Sequence, residues 1–452
     1  MSISLVNGFD TGVWSLKLKR KKSDKVVAML QPDPKLLSPP VKPGESASGR
    51  ETKRAALLDE AAQELNARGI SGASIARIAK RVGLTRAAVY YYFKDRDELA
   101  AECYRRTCRS MAEDMAAALR VKGNGLEKVL DFLRRALDSA RAPCAALSEL
   151  DYFAGRTRDA IAAAHSANVS ALRGLICAGI SDGSIRPCDD EIVAQTLIGT
   201  ITWIPLSVGW VEGTDEGFRA RTVDAFADLI VNGQARDPFY AFVPPVAIES
   251  FFPSPTDVFD RRALADAKIE RLLMIASQLF NRHGIDGTSL DDIARGLGAT
   301  KGTLYHYLEH KMDLVVRCYK RATMLFDRFA EASEKFGRTG LERGLIGLYL
   351  NVQAHASGLS PLIQLAGPSA LPAAARRELR RRSRGLQRRF ESFGKQGLAD
   401  GSLRPMDYDA VAQLGAGAFE WLPKWFSFDD TRAPRALAEE IVALFIRGLR
   451  TR

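Results

Sequence analysis

The stretch that most limits this chain lies at 74–93, SIARIAKRVGLTRAAVYYYF, and returns in altered form at 289–308, SLDDIARGLGATKGTLYHYL. In the first copy Ile75, Ile78, Ala79 and Val82 fall at helical spacing. Gly83 follows as a C-cap, where a residue must often take positive φ without Cβ strain. Thr85 is placed to N-cap a second helix that carries Val89, Tyr90 and Phe93 inward. Two short helices joined by so tight a turn cross steeply and leave the start of the second protruding. That is a helix-turn-helix, whose second helix can enter a DNA major groove.

Extended on both sides, the two runs read ISGASIARIAKRVGLTRAAVYYYFKDRDEL and IDGTSLDDIARGLGATKGTLYHYLEHKMDL. Each resembles the DNA-binding signature of TetR/AcrR-type transcriptional regulators, in the family's order. A bare helix-turn-helix pattern is weakly specific, whereas this longer one, present twice, is strong.

The duplication reaches beyond the readers. Lys268 answers Lys53, Gly284 answers Gly69, and Tyr305 and Tyr307 answer Tyr90 and Tyr92. Further on, the run from Asp182 to Pro187 (DGSIRP) answers that from Asp400 to Pro405 (DGSLRP). Ala194 and Gln195 answer Ala412 and Gln413, and Trp203-Ile204-Pro205 answers Trp421-Leu422-Pro423. No period-2 strand pattern is visible, so an all-α fold is expected, a duplicated unit of three-helix reader plus helical effector domain. The expected divisions are a basic, Pro-rich tail (1–49), a first reader (50–98) and a first effector domain (99–236). A Pro/Phe-rich linker (237–261), a second reader (262–313) and a second effector domain (314–452) follow. Helical segments are expected near 97–119, 126–140, 145–153, 156–180, 191–211 and 216–230. The linker is apolar rather than Gly/Ser-rich, so it is expected to pack along the surface and hold the halves together.

The 452 residues carry 65 Lys and Arg against 54 Asp and Glu, a net charge of +11 that favours an acidic partner, nucleic acid first. The tail adds Lys17, Lys19, Arg20, Lys21, Lys22 and Lys25, which could raise non-specific DNA affinity. No run of about 18 apolar residues appears, so neither a membrane-spanning helix nor a membrane partner is expected. Nor does the N-terminus show a signal peptide. A cytoplasmic, nucleoid-associated protein is the expectation. The six cysteines show neither C-x-x-C nor zinc spacing. Cys103 and Cys318 sit at equivalent places and are expected to share a packing role. His306 and His310 flank Glu309 without a third evident metal ligand. No nucleophile–base set, P-loop or dinucleotide fingerprint is present. No metal, cofactor or enzymatic activity is therefore expected.

Base edges are read from the exposed start of a recognition helix, while flanking polar groups hold phosphates. Arg86 suits a bidentate contact to guanine, and Ala87 and Ala88 keep the helix slim beside a thymine methyl. Tyr91 and Tyr92 could reach bases or phosphate. The resemblance implies phosphate contacts at Ser74, Thr85, Lys94 and Arg96. The matching second set is Ser289, Thr300, Lys301, Gly302, Thr303, His306, Tyr307 and Lys311. Tyr90 and Tyr305 are candidates too, although both are expected to lie partly in the core against Ile78 and Ile293. In the second copy Leu308 replaces an aromatic, Glu309 a lysine and Met312 an acidic residue of the family pattern. Those changes predict weaker DNA binding by the second reader.

The resemblance implies that each effector domain binds a small ligand and dimerises through its last two helices. Here the pairs would be 190–211 with 217–232, and 408–426 with 435–449. One chain carries both, so the repeats could dock as an intramolecular pseudo-dimer, or two tandem chains could form a homodimer. DGS-[IL]-RP followed by a Trp-containing helix resembles the branch that senses acyl-CoA and other hydrophobic metabolites. Trp203, Trp210, Trp421, Trp425 and Phe426 are candidate pocket residues, with plain core and interface as the competing role. The arginine run from Arg376 to Arg389 could bind ligand phosphates or DNA, or simply be a solvated face. The expected function is a ligand-responsive regulator of a double-stranded DNA operator, most often a repressor in this family. The alternative is an architectural, non-specific DNA-binding protein without small-molecule control.

Overall fold

A computed structural model of the chain describes residues 47–138, 140–207, 216–253, 260–363, 371–427 and 432–452. The basic cluster of the tail and Trp210 lie outside these. The first copy supplies α1 (Ala47–Gly72), α2 (Ile75–Arg81), α3 (Arg86–Val89), α4 (Arg96–Arg120), α5 (Gly125–Leu137), α6 (Gly155–Ser181), α7 (Asp190–Ser207) and α8 (Glu216–Asn232). The second supplies α9 (Arg261–Gly287), α10 (Leu290–Leu297), α11 (Lys301–Leu304), α12 (Lys311–Phe336), α13 (Gly340–His355), α14 (Ala373–Ala399), α15 (Tyr408–Glu420), α16 (Leu422–Trp425) and α17 (Pro434–Arg447). The fold is all-α, with no strand among the described residues.

Local chemistry sets the helix ends. Gly69 (φ 68°) and Gly284 (φ 81°) break α1 and α9 at matching places, in a conformation that L side chains rarely adopt. Ser74, Thr85 and Asp95 accept hydrogen bonds at the starts of α2, α3 and α4, as Ser289, Thr300 and His310 do for α10, α11 and α12. Cys103 and Cys318 are fully buried, and each points its thiol at a helix carbonyl, Leu58 O and Leu273 O, both at 3.7 Å. Burial pushes both thiols up to about 12.

Two expected helices are corrected. Residues 145–153 form only a 3-10 turn at Leu150–Tyr152. Side chains of neighbouring helices take up the backbone groups a helix would use. Asn66 bonds Cys144 O (2.9 Å) and Ala146 N (2.8 Å), and Thr107 bonds both Ala145 O (2.9 Å) and Ala145 N (3.0 Å). The helix expected over 408–426 is interrupted at Trp421, just before Pro423, into α15 and α16.

The two copies meet reciprocally. α7 lies against α15 so closely that a Cβ on Gly199 would sit 2.6 Å from Gly417 O and 2.7 Å from Trp421 Cβ. A Cβ on Gly417 would sit 2.6 Å from Thr200 Cα and 3.0 Å from Trp203 Cβ. Behind this crossing the C-terminal ends of the two copies exchange backbone bonds. Gln234 N and Ala235 N donate to Phe445 O (2.8 Å) and Ile446 O (3.1 Å). Leu449 N and Arg450 N donate to Ile230 O (2.7 Å) and Val231 O (3.1 Å).

The repeated DGS-[IL]-RP segment serves both lobes and the contact between them. Asp182 and Ser184 cap α5, accepting from Gly125 N (2.7 Å) and Leu126 N (3.1 Å). Asp400 and Ser402 do the same for Gly340 N (2.8 Å) and Leu341 N (3.2 Å). The following arginines then cross to the other copy. Arg186 Nε donates to Gly448 O (2.7 Å) and Arg404 Nε to Gly233 O (2.6 Å). Glu440 pairs with Arg186 (3.2 Å) and Asp228 with Arg404 (2.7 Å).

The described part of the linker is laid along α12 and α13. Tyr240 OH donates to Glu342 (2.7 Å), Phe242 meets Tyr349 edge-on (5.7 Å), and Phe251 meets Phe329 (4.9 Å). The readers are also tied together through the first copy. Glu149 accepts from Ile70 N (2.6 Å) beside Gly69, and Asp151 pairs with His283 of α9 (2.9 Å).

Candidate nucleic-acid interface and effector cavity

Each recognition helix is one short turn held from below by a single apolar residue, Val89 in α3 and Leu304 in α11, both 1% exposed. Phe93 and Leu308 occupy equivalent buried positions, so the aliphatic replacement keeps the core filled. What remains outward is the reading surface. Arg86 and Ala87 are exposed, and Ala88 is half-buried. Thr85 uses its hydroxyl to accept from Ala88 N (3.2 Å), and Ser74 accepts from Arg77 N (3.3 Å). Lys94 is exposed, with its backbone N donating to Glu98.

The tyrosines are arranged differently from expectation. Tyr90 and Tyr305 are 43% and 52% exposed rather than lodged in the core, because Val89 and Leu304 already fill that space. Tyr90 OH instead receives Arg86 Nη2 at 3.5 Å, which places both groups on the outer face. Tyr91 is also exposed, at 52%. Tyr92 and Tyr307 are half-buried and pack against the core. Arg96 is turned inward, bonding Ser71 O (2.9 Å) and Tyr152 OH (3.0 Å), which ties the reader to its effector domain.

Beneath α2 lies a carboxylate that sequence reasoning passed over. Glu64 is 1% exposed, and Arg77 Nη2 (2.6 Å), Arg68 (3.4 Å) and Arg81 (3.5 Å) surround it, with Ser74 N donating at 3.3 Å. Its signal was an acidic residue beside the apolar face of α1, facing arginines one helix away. Leu279 holds the matching place in the second reader, so the carboxylate at the centre of that cluster is missing there.

The second reader differs in charge. Where the first has Ala76 and Arg77, the second has Asp291 and Asp292. Ser289 and Asp292 form a capping box, and hydrogen bonds from the Ser289 hydroxyl and backbone, aided by Arg295, hold the Asp292 carboxyl down at about 2. Lys301 Nζ is paired with Asp291 at 2.9 Å, so the counterpart of Arg86 is partly neutralised before any DNA arrives. Gly302, Thr303 and His306 are exposed, with Thr300 and Thr303 hydroxyls 3.0 Å apart. Lys311 is half-buried, and that burial pushes its ammonium pKa down.

Within the second effector lobe, α12–α15 line a half-open cavity of about 210 Å³. Its walls include Phe326, Leu386, Phe390 and Phe419, to which the first copy adds Trp203 and Gln234. Of the four candidate pocket aromatics among the described residues, Trp203 alone lines this cavity. Trp421 is instead buried at the junction, donating to Gln195 (3.2 Å) and meeting His165 edge-on (5.8 Å). Trp425 and Phe426 pack edge-on together (5.9 Å), with Arg432 over the Trp425 ring (5.4 Å). The arginine run on α14 is partly spent on ion pairs, Arg381 and Arg382 with Glu378 (both 2.8 Å) and Arg389 with Glu334 (2.7 Å).

Residues 57–103 and 272–318 each match the bacterial regulatory proteins of the tetR family, and residues 349–449 match the tetracyclin repressor-like C-terminal domain. The chain belongs to the tetR family, with its DNA-binding region present twice. A curated relative, the HTH-type transcriptional regulator AcrR of Shigella flexneri, is 30% identical over 84 residues, 18% of this chain. That match spans 39% of the relative's own length. Among solved structures, the TetR family transcriptional regulator PfmR from Thermus thermophilus is 20% identical, covering 39% of this chain and 98% of its own at a TM-score of 0.35. A TetR-family transcriptional regulator from Bordetella parapertussis is 24% identical, covering 40% of this chain and 95% of its own at a TM-score of 0.35. No helix among the described residues is long and apolar enough to cross a membrane.

Proposed function

We propose that this tetR-family chain is a ligand-responsive transcriptional regulator whose two copies act as an intramolecular pseudo-dimer on one operator. The observation that carries it is the reciprocal crossing of Gly199 with Trp421 and of Gly417 with Trp203, sealed by Arg186 and Arg404. An isologous contact of this kind ordinarily joins two separate subunits. Here one chain supplies both sides, and the surface that a second chain would need is taken. The sign of regulation proposed is repression, relieved when a small hydrophobic metabolite occupies the cavity.

The first reader carries most of the affinity in this reading. Lys80, Arg86 and Lys94 make its face basic, with Arg77 and Arg81 partly offset by Glu64, whereas Asp291, Asp292 and Glu309 offset Arg295 and Lys301 on the other. DNA requires its readers about one helical turn apart, roughly 34 Å, or a multiple of it. A ligand that prefers a conformer with another spacing releases the operator in proportion to its differential affinity. The cavity touches both copies through Trp203 and Gln234, so its occupant can act on their relative placement. Its volume is too small for a whole acyl-CoA-like compound and suits a small apolar molecule. The protein would work at the nucleoid, in the cytoplasm.

Selection from random-sequence DNA with the purified chain tests this. Two unlike half-sites at fixed spacing are the expected outcome. A perfect palindrome would replace the pseudo-dimer with pairing between chains. No enrichment at moderate salt would overturn specific regulation and favour the architectural reading.

A further inference from the structure

The two effector lobes repeat one unit, so each second-lobe wall of the cavity has a counterpart in the first copy. Gly344 stands where the first lobe has Val129, Gly415 where it has Leu197, and Ala416 where it has Ile198. All three first-lobe residues are completely buried. A Cβ added at Gly344 or Gly415 would meet nothing within 4 Å, so these glycines border open space rather than a tight contact. The first lobe is filled at the places where the second is hollow.

Two polar atoms on the wall of the cavity want a partner. Asn351, 4% exposed, spends its amide N–H on Gly347 O (2.8 Å), which leaves Oδ1 buried and unbonded among the described residues. Ser383 Oγ is buried and unbonded in the same way. Asn351 answers Ala136 in the first copy, so its acceptor belongs to the second lobe alone, whereas Ser383 answers His165, whose Nδ1 is also buried and unbonded. A buried acceptor without a donor costs about 1–3 kcal/mol, and native structures tolerate few.

We propose that the chain takes one effector, in the second lobe only, and that this ligand is a single-ring or short-chain apolar molecule whose O–H or N–H group is received by Asn351 and Ser383. Division of labour follows: the first copy reads and the second senses. The proposal rests on the regulator reading and adds which lobe, how many ligands and what chemistry. An apolar cavity of about 150 Å³ admits benzene; the space here, about 210 Å³, holds a ring with one substituent.

Phenol and toluene are matched probes, rings of similar size with and without a donor. Calorimetric titration of the full chain is expected to give one phenol site per chain, with toluene weaker by about tenfold, the worth of one good hydrogen bond. Gly415→Leu and Gly344→Val install the residues the first lobe already accommodates, and each is expected to abolish binding while leaving the circular dichroism spectrum unchanged. Asn351→Leu is expected to remove the preference for phenol. Two equivalent sites, binding that survives Gly415→Leu, no preference for the donor, or no saturable binding of either probe would each overturn the proposal. Operator preference is read separately. A chain that binds phenol once but prefers no sequence loses only the regulator reading, and one with a clear operator but two phenol sites loses only this one.

Discussion

Gly199 and Gly417 face each other across the crossing of α7 and α15, each occupying the space where the other copy's tryptophan begins. The approach leaves no room for a side chain on either, because backbone atoms of the opposite helix lie 2.6 Å from either Cβ position. Overpacking of this kind costs about 1–3 kcal/mol. Gly417→Val and Gly199→Val are each expected to lower the denaturation midpoint and to split unfolding into two steps, followed by tryptophan fluorescence. Gly415→Leu on the same helix, facing open space, is the control expected to leave the midpoint in place or raise it.

Arg186 makes a second seal, buried between Gly448 O and Glu440. Removing one partner of a buried pair strands the other, at about 3–5 kcal/mol. Arg186→Ala is expected to destabilise the chain by about 3 kcal/mol. Arg404→Ala, whose Asp228 partner is more open to water, is expected to cost less. Equal, negligible effects in urea denaturation would show that the backbone bonds between the ends of the two copies, not the arginines, hold them together.

Much of this was legible in the residues. The cap at Thr85, the turn glycine Gly83 and the duplication all follow from short-range chemistry, which a single chain displays openly, whereas Ser74, Ser289 and Thr300 were read only as DNA contacts and also cap their helices. The tryptophans were not legible. Trp203 and Trp421 are equivalent by sequence and both meet a glycine of the other copy, yet only Trp203 also lines a cavity. Residues 145–153 failed for a related reason, since their backbone partners, Asn66 and Thr107, are distant in the chain. The cavity had a readable signal that composition hides. Set side by side, the copies exchange Val129 for Gly344 and Leu197 for Gly415, a loss of volume at two wall positions of one cavity. Tyr90 was misread because an aromatic beside a buried valine satisfies the same periodicity whichever of the two turns inward.

The linker anchor gives a pH dependence. Burial alone would raise the Glu342 pKa, but hydrogen bonds from Arg338 and Tyr240 overcome it and leave the carboxyl at about 2, below its ordinary 4.5. A lowered carboxylate contributes stability that is present above about pH 4.5 and is lost as pH falls towards 2. Glu342→Gln is expected to be less stable at neutral pH and to show a flatter stability profile between those limits. A variant that loses stability on acidification as steeply as the parent would exclude Glu342 from the acid response.

The sharpest test of unequal copies compares the two recognition helices. Arg86 is free of any acidic partner among the described contacts and shares the outer face with Tyr90, so Arg86→Ala should relax one half-site by about 1–3 kcal/mol of base discrimination. Lys301 already faces Asp291 at 2.9 Å, and a lysine that must leave one anion to meet another gains little. Lys301→Ala is therefore expected to change affinity far less than Arg86→Ala. Asp291→Asn removes a like charge from the approaching backbone and frees Lys301, so it should tighten binding, most at low salt, where screening is weakest. Fluorescence anisotropy against the selected operator at two salt concentrations measures all three. Equal losses from Arg86→Ala and Lys301→Ala would mean that Asp291 releases its lysine on contact, and the two readers would then share the operator evenly.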